Sequence, residues 1–426
     1  MVRPETLAAA DRRDELDGVL AKIRNAIGYR SFQKQRAGVL VEGMAELPGL
    51  RGPYTLLYTP DGKFLQRLKL RRELITGYDA ATYWARDWSG MPRVLELEEY
   101  ESQRVLFAVR TGRWLAEDGP VDIAFSGSAA AEQEIRLRLR LKGGLQVAEL
   151  AVNRSNWLPV RLTRRRLGTV DTWEFQDYRP LLGMTLAYRT VHRIGGAADT
   201  FEIHAVHAAS STGQDAFRPA LDPPHDTKFD STLPALFEIK QAASGHLFVR
   251  PKVNGQEVGW FLLDTGCAGL SIAPKVADQL GMPAFGTAVH GGLGKLLSGK
   301  LREVNTFQLG SVTIERGISL ELPQSFCDAM SRQLKSAVVG ACGYELFSRV
   351  VLELDLGNLT AACFEPARYK LTRGEWEPLM FNQNIPCVPV KFEGNHKELF
   401  QLDTGAGSIV VFHPPAVEKF KLLDGR

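Results

Sequence analysis

Two short stretches carry the residues whose types and spacing could do chemistry. Residues 261–272 read Phe-Leu-Leu-Asp-Thr-Gly-Cys-Ala-Gly-Leu-Ser-Ile, and residues 400–411 read Phe-Gln-Leu-Asp-Thr-Gly-Ala-Gly-Ser-Ile-Val-Val. In each, an apolar run ends on an acid, a hydroxyl and a glycine. A buried strand of this kind delivers a carboxylate to its tip, and the glycine lets the backbone turn where a Cβ would clash. Asp264 and Asp403 are therefore the candidate catalytic residues. Two carboxylates held about 3 Å apart cannot both ionise cheaply, so such a pair keeps one proton. The ionised member can take a proton from a water lodged between them, and the protonated member can give one to a carbonyl oxygen. That chemistry needs no metal, no cofactor and no covalent intermediate.

The elements that must position the two acids repeat as well. Asn254-Gly255 ends nine residues before Asp264, and Glu393-Gly394 ends nine before Asp403. Asn-Gly between apolar runs is a hairpin signal. At the constant offset of 139 that separates the acids (403 − 264), Lys252 matches Lys391, Gly255 matches Gly394, Phe261 matches Phe400 and Leu263 matches Leu402. A hairpin with its loop has been duplicated within the chain.

Asp-Thr-Gly after an apolar strand resembles the active-site loop of the retroviral-type (retropepsin-like) aspartic peptidases in their bacterial form. That family builds its site from two such loops. The resemblance implies that Thr265 and Thr404 exchange hydrogen bonds between lobes and hold the acids in register, with Gly266 and Gly405 supporting the turns. It assigns the glycine-rich hairpin around His290, Gly291, Gly292 and Gly294 to the flap that covers substrate. It assigns Val339-Gly340 to the strand threaded beneath the first loop. Two departures stand out: Ala341 and Cys342 replace larger apolar residues, and Cys267 stands where the family has Ala or Ser. Cys267 could be a redox-sensitive thiol or a small buried filler. Gly294 to Lys300 comes one residue short of a phosphate-binding loop, because Leu301 occupies the place of the magnesium-binding hydroxyl, and the nucleotide reading is rejected.

The second copy stops early. Asp264 precedes Gly340 by 76 residues (340 − 264), whereas 23 residues follow Asp403 (426 − 403). The expectation is an incomplete second lobe in a fragment of a longer chain. The resemblance then implies an aspartic endopeptidase acting on a polypeptide substrate, with lobes paired in cis and a homodimer through Asp264 as the rival arrangement. The reading from a different class is a catalytically inert envelope protein that binds lipid or peptide and keeps vestigial peptidase lobes.

Ahead of the first loop the pattern differs. Leu16, Leu20, Ile23 and Ile27 fall at helical spacing and predict one amphipathic helix ended by Gly28. From Gly38 to about Val206 the pattern is of strands, clearest in Glu134–Lys142, where leucines alternate with arginines. A helix followed by a run of antiparallel strands is similar in outline to the curved half-barrel of bacterial lipoprotein-carrier proteins. Residues 77–84 and 178–184 resemble that fold's hairpin and its turn into the closing strands. Such a sheet could hold an acyl chain or a peptide, or serve only as a scaffold. His204 and His207 would point to opposite faces of a strand, which disfavours a shared metal.

The fold expected is mainly β: an N-terminal curved sheet with one helix over residues 1–208, a Pro- and Asp-rich linker over 209–233, a retropepsin-like lobe over 234–370 and the start of a second over 371–426. Apolar and charged fractions of 44% and 24% are those of a globular protein of 426 residues. A net charge of +3 is too small to argue for nucleic acid. Five cysteines without C-x-x-C make neither a disulfide framework nor a zinc site. No stretch is long enough to span a bilayer, and the first ten residues lack the apolar core of a signal peptide. A cell-envelope location is expected if the N-terminus is incomplete.

Overall fold

The computed structural model describes residues 4–34, 38–126, 133–166, 169–209, 213–292, 295–394, 396–407 and 410–424. The chain is mainly β and divides into two compact units. One comprises Met1–Pro223 with Gly286–Ser298, the other Pro224–Phe285 with Gly299–Arg426. No helix among the described residues is long and apolar enough to cross a membrane.

The first unit is built on a 13-stranded antiparallel sheet. Its first strand, Val39–Leu47, pairs with its last, Ala197–Ala208, so the chain's two passes join at the middle of the sheet. The Glu134–Leu141 strand alternates as its sequence predicts: Ile135, Leu137, Leu139 and Leu141 are buried, and the arginines between them face outward. Two of these arginines pair with acids, Arg136 with Glu149 and Arg140 with Asp122, which marks a solvated face.

The N-terminal helix runs Pro4–Ala26, and Gly28 follows it with a left-handed φ of 69°. A second long helix, Leu97–Arg110, lies within the stretch that reads as strands. Glu98 and Glu99 in its first turn and Arg110 in its last suit the helix dipole. Its apolar residues form a continuous buried run, Val105 to Val109, rather than a single stripe, which hides its helical period. Val19, Leu20 and Ile23 of the first helix and Val105 to Val109 of the second belong to one core with the sheet leucines.

Part of the stretch expected as linker is folded. Phe217 is buried with Trp84 and Ile75. Thr227–Phe229 is a strand on the second unit's main sheet, paired with Val312–Ile314. Asp226, just before it, makes two hydrogen bonds with the buried Arg349, at 3.0 and 2.7 Å.

In the second unit, Trp260–Leu263 pairs with Leu247–Val249 on one side and runs parallel to Val338–Cys342 on the other. Val338–Cys342 in turn runs antiparallel to Leu270–Ile272. The acid-bearing strand is thus an interior strand, with Phe261 and Leu263 fully buried. Both hairpins expected from the repeat form. Asn254-Gly255 and Glu393-Gly394 each place two consecutive residues at positive φ, at 50° and 79° and at 44° and 84°. For Asn254-Gly255, between the paired Val253 and Gln256, that is the two-residue turn whose twist matches paired strands. The second copy is a three-stranded sheet of Met380–Asn382, Ile385–Phe392 and His396–Gln401, followed by the helix Pro414–Phe420.

Candidate active site

Both acid-bearing loops lie in the second unit, and their backbones make the same turn. The Gly266 N–H donates to Asp264 Oδ1 at 2.8 Å, and the Gly405 N–H donates to Asp403 Oδ1 at 2.8 Å. One residue on, the Cys267 N–H reaches the Asp264 carbonyl at 3.1 Å and the Ala406 N–H reaches the Asp403 carbonyl at 3.3 Å. Each carboxylate is therefore oriented by its own loop.

The loops also brace each other reciprocally. The Thr265 N–H donates to Thr404 Oγ1 at 3.0 Å, and the Thr404 N–H donates to Thr265 Oγ1 at 2.9 Å. The Thr265 hydroxyl donates to the Leu402 carbonyl at 2.7 Å, and the Thr404 hydroxyl to the Leu263 carbonyl at 2.8 Å. Each hydroxyl accepts one bond and donates one, which only Ser or Thr can do at this position.

The glycines set how close the acids come. A Cβ on Gly266 would fall 2.5 Å from Asp403 Cγ, and one on Gly405 would fall 2.4 Å from Asp264 Cγ. Each glycine is packed against the other loop's carboxylate, so any side chain there would part the acids.

Asp264 is half-buried and Asp403 is exposed. Burial pushes the Asp264 carboxyl up to about 7. The neighbouring Asp403 charge and a hydrogen bond between the two side chains push the same way, against the Gly266 and Cys267 amides. Near pH 7 and below, Asp264 thus holds a proton that an isolated aspartate would have lost.

The strand Val338–Cys342 supports this loop from beneath. The Asp264 N–H donates to the Cys342 carbonyl at 3.0 Å, and the Ala273 N–H to the Val339 carbonyl at 2.7 Å. A Cβ on Gly340 would lie 2.2 Å from the Phe261 ring and 2.5 Å from the Ser271 carbonyl, so only glycine fits. Val339 and Gly340 lie on the strand whose backbone bonds this loop and the segment after it. Cys267 Sγ is 3.2 Å from the Gly269 carbonyl, and burial pushes its thiol up to about 11, with Asp264 adding to the rise. That environment suits a small filler and disfavours a reactive thiolate.

Of the flap candidates, His290, Gly291 and Gly292 lie in the strand Ala284–Gly292, which pairs with Lys295–Leu309. Gly294 lies outside the described residues.

Sequence reasoning missed two contacts on the loops. His246, 6% exposed, bonds the Gly405 carbonyl through Nε2 at 3.0 Å. Asn384, also buried, donates from Nδ2 to the Ala268 carbonyl at 3.3 Å. Nothing in the local sequence marks either residue; the repeat places Ile385 opposite His246 and Gly245 opposite Asn384.

Comparison with known proteins fits this geometry in part. Residues 249–325, which hold Asp264 and end before Gly340 and Asp403, match a family described as aspartyl protease. No curated protein matches the chain. Among solved structures, the N-terminal half is similar to a LolA superfamily protein of Nitrosomonas europaea, at 16% identity over 47% of this chain and 96% of that one, with a TM-score of 0.34. A DUF1329 family protein of Desulfovibrio piger matches at 12% identity over 48% of this chain and 99% of that one, also with a TM-score of 0.34.

Proposed function

We propose that the chain is an aspartic endopeptidase in which Asp264 and Asp403 of a single chain activate a water against a peptide carbonyl. The observation that carries this reading is the reciprocal threonine bracing, which holds two carboxylates against each other's glycine with one of them pushed up to about 7. The aspartyl protease match over 249–325 supports the same class.

With one proton between the acids, the chemistry follows from charge and position. The ionised carboxylate takes a proton from the water as its oxygen bonds to the carbonyl carbon, and the protonated carboxyl gives its proton to the carbonyl oxygen. The tetrahedral diol then collapses: a diol hydroxyl returns its proton to a carboxylate, the other carboxyl protonates the amide nitrogen, and the C–N bond breaks. The pair ends with one proton, as it began. Because the acids titrate together, acid and base roles belong to the pair.

The test uses a quenched fluorescent peptide library between pH 4 and 8. Asp264→Asn and Asp403→Asn should each abolish cleavage, a chelator should spare it, and specific activity should be constant on dilution. An active, dilution-sensitive Asp403→Asn variant would replace the cis pair with a homodimer through Asp264. Full activity in Asp264→Asn would overturn the assignment.

A second reading, a protein that holds lipid or peptide in its N-terminal sheet, draws on a cavity in the first unit. Tyr29, Phe32, Tyr54, Trp114 and Phe201 line it, with Arg110 as the charged group on its wall. Saturable binding of a fluorescent fatty acid that Arg110→Leu weakens would support it, and would leave the peptidase reading untouched.

A further inference from the structure

Resting on the peptidase reading, we infer that His246 is a positioning residue of the acid pair: it clamps the second acid-bearing loop from the first copy of the repeat and fixes the Asp403 carboxylate. His246 immediately precedes Leu247–Val249, the strand that pairs with Trp260–Leu263 and so belongs to the framework that delivers Asp264. Its ring nevertheless reaches across to Gly405, on the loop that carries Asp403. Gly405 is held at both ends. Its carbonyl takes the His246 bond at 3.0 Å, and its N–H donates to Asp403 Oδ1 at 2.8 Å. Pinning the carbonyl restrains the rotation of the backbone that aims that N–H.

The hydrogen inventory fixes the proton on Nε2. A carbonyl oxygen only accepts, so Nε2 must carry a proton. The other nitrogen, Nδ1, lies 2.7 Å from Ser244 Oγ, and Ser244 Oγ lies 2.7 Å from Gln333 Oε1. Ser244 has one hydroxyl proton and serves one of these two neighbours as donor. If Ser244 donates to a neutral ring, Gln333 must turn its amide N–H toward Ser244; if Ser244 donates to Gln333, Nδ1 must be protonated. In both cases Nε2–H points at Gly405. Ser244, itself bonded to Gln333, thus anchors the opposite ring nitrogen in either state and keeps Nε2–H aimed at the loop.

Among the described residues the clamp has no equal on the other side of the repeat. The position that matches His246 is Ile385, whose side chain has no polar atom. The contact in the opposite direction, Asn384 to the Ala268 carbonyl, is longer at 3.3 Å and falls two residues past the glycine. The threonine bracing is symmetric; the outer support of the loops is not. Asp264 is held by burial and by the strand under it, and the exposed Asp403 needs a tether.

Two substitutions separate the donor from the bulk. The Gln amide nitrogen reaches about as far as Nε2, whereas the Asn amide reaches only as far as Nδ1. In His246→Gln the Gly405 bond should survive and kcat should stay within about threefold of the parent. In His246→Asn and His246→Leu the bond is lost, and kcat should fall by about 10- to 100-fold with KM little changed, the range expected when a reacting group is misplaced by a fraction of an ångström to an ångström. A readout independent of cleavage is the carboxyl carbon-13 titration of Asp264, assigned with Asp264→Asn. It should keep its raised midpoint in His246→Gln and move toward the ordinary aspartate value in His246→Asn, because a loosened Asp403 raises its neighbour less. Equal behaviour of the Gln and Asn variants in that titration, or an unchanged midpoint in both His246→Asn and His246→Leu, overturns the inference. Absence of cleavage in the parent protein would strike the peptidase reading alone, since the titration still decides the role of His246.

Discussion

Replacing Asp264 by Asn should abolish catalysis and at the same time stabilise the fold, by an amount that grows with pH. The Asp264 carboxyl sits at about 7 in the folded chain against an ordinary value of 3.8. The folded state therefore holds this proton more tightly than the unfolded chain does. The stability the proton contributes is complete below the unfolded value, declines as pH rises between the two values, and is lost above about 7. Each pH unit in that window is worth about 1.4 kcal/mol, so the full swing has a ceiling of about 4 kcal/mol. An asparagine side chain in the same place does not titrate and is free of this dependence. The stability of Asp264→Asn minus that of the parent should therefore rise by about 3 kcal/mol between about pH 4.5 and about pH 8, and change little above that. Carboxylates remote from Asp264 contribute equally to both proteins and cancel in the difference; Asp403, whose charge helps to raise Asp264, does not. The assay is urea unfolding at several pH values, read by peptide-resolved hydrogen exchange in the strand Trp260–Leu263, which reports the unit that contains the site. A difference that stays flat across the window, or falls with pH, would refute the raised carboxyl and with it the shared proton.

Three further outcomes follow from contacts around the loop. Gly340→Ala should destabilise the second unit by about 2 kcal/mol or more, since the added methyl meets the Phe261 ring at 2.2 Å and the Ser271 carbonyl at 2.5 Å; a melting temperature equal to the parent's would contradict it. Asp226→Ala removes the two hydrogen bonds that Asp226 accepts from the buried Arg349, which keeps its bond to the Glu345 carbonyl and its pairing with the Glu345 carboxylate, and should cost about 3 kcal/mol, whereas a joint replacement of Asp226 and Arg349 by apolar residues should cost less, a comparison made by urea titration. Cys267, its thiol pushed up to about 11, should react with iodoacetamide near neutral pH far more slowly than glutathione does, and brief treatment should leave any peptidase activity intact; mass spectrometry of the labelled peptide reads the rate.

How far these features can be read from the sequence depends on how local their causes are. The two loops were legible because a strand, an acid and a turn glycine are adjacent, and the same local order occurs twice. The hairpins ahead of them were legible for the same reason, down to the positive φ at Gly255 and Gly394. The helix Leu97–Arg110 was not, because its buried face is a run of five apolar residues, which a strand pattern fits equally well. Thr227–Phe229 reads as linker because its partner strand begins more than eighty residues away at Val312, and a three-residue run carries no period of its own. His246 is the extreme case: its partner is a backbone carbonyl 159 residues on, and a carbonyl has no letter in the sequence.

The same distinction separates what is symmetric in the site from what is not. Local order dictates the turns and the threonine exchange, so duplication reproduces them bond for bond across the two loops. Burial is set by what packs around each copy, and there the copies diverge. Trp260–Leu263 lies between two partner strands, one of which, Val338–Cys342, bonds the Asp264 amide. His396–Gln401, which leads to Asp403, pairs among the described residues with Ile385–Phe392 alone. One acid is consequently half-buried and the other exposed, although their own peptide groups are arranged alike. Burial is the largest cause of the rise at Asp264, so it is the unequal packing of two like loops that raises this carboxyl, through residues that the repeat does not duplicate.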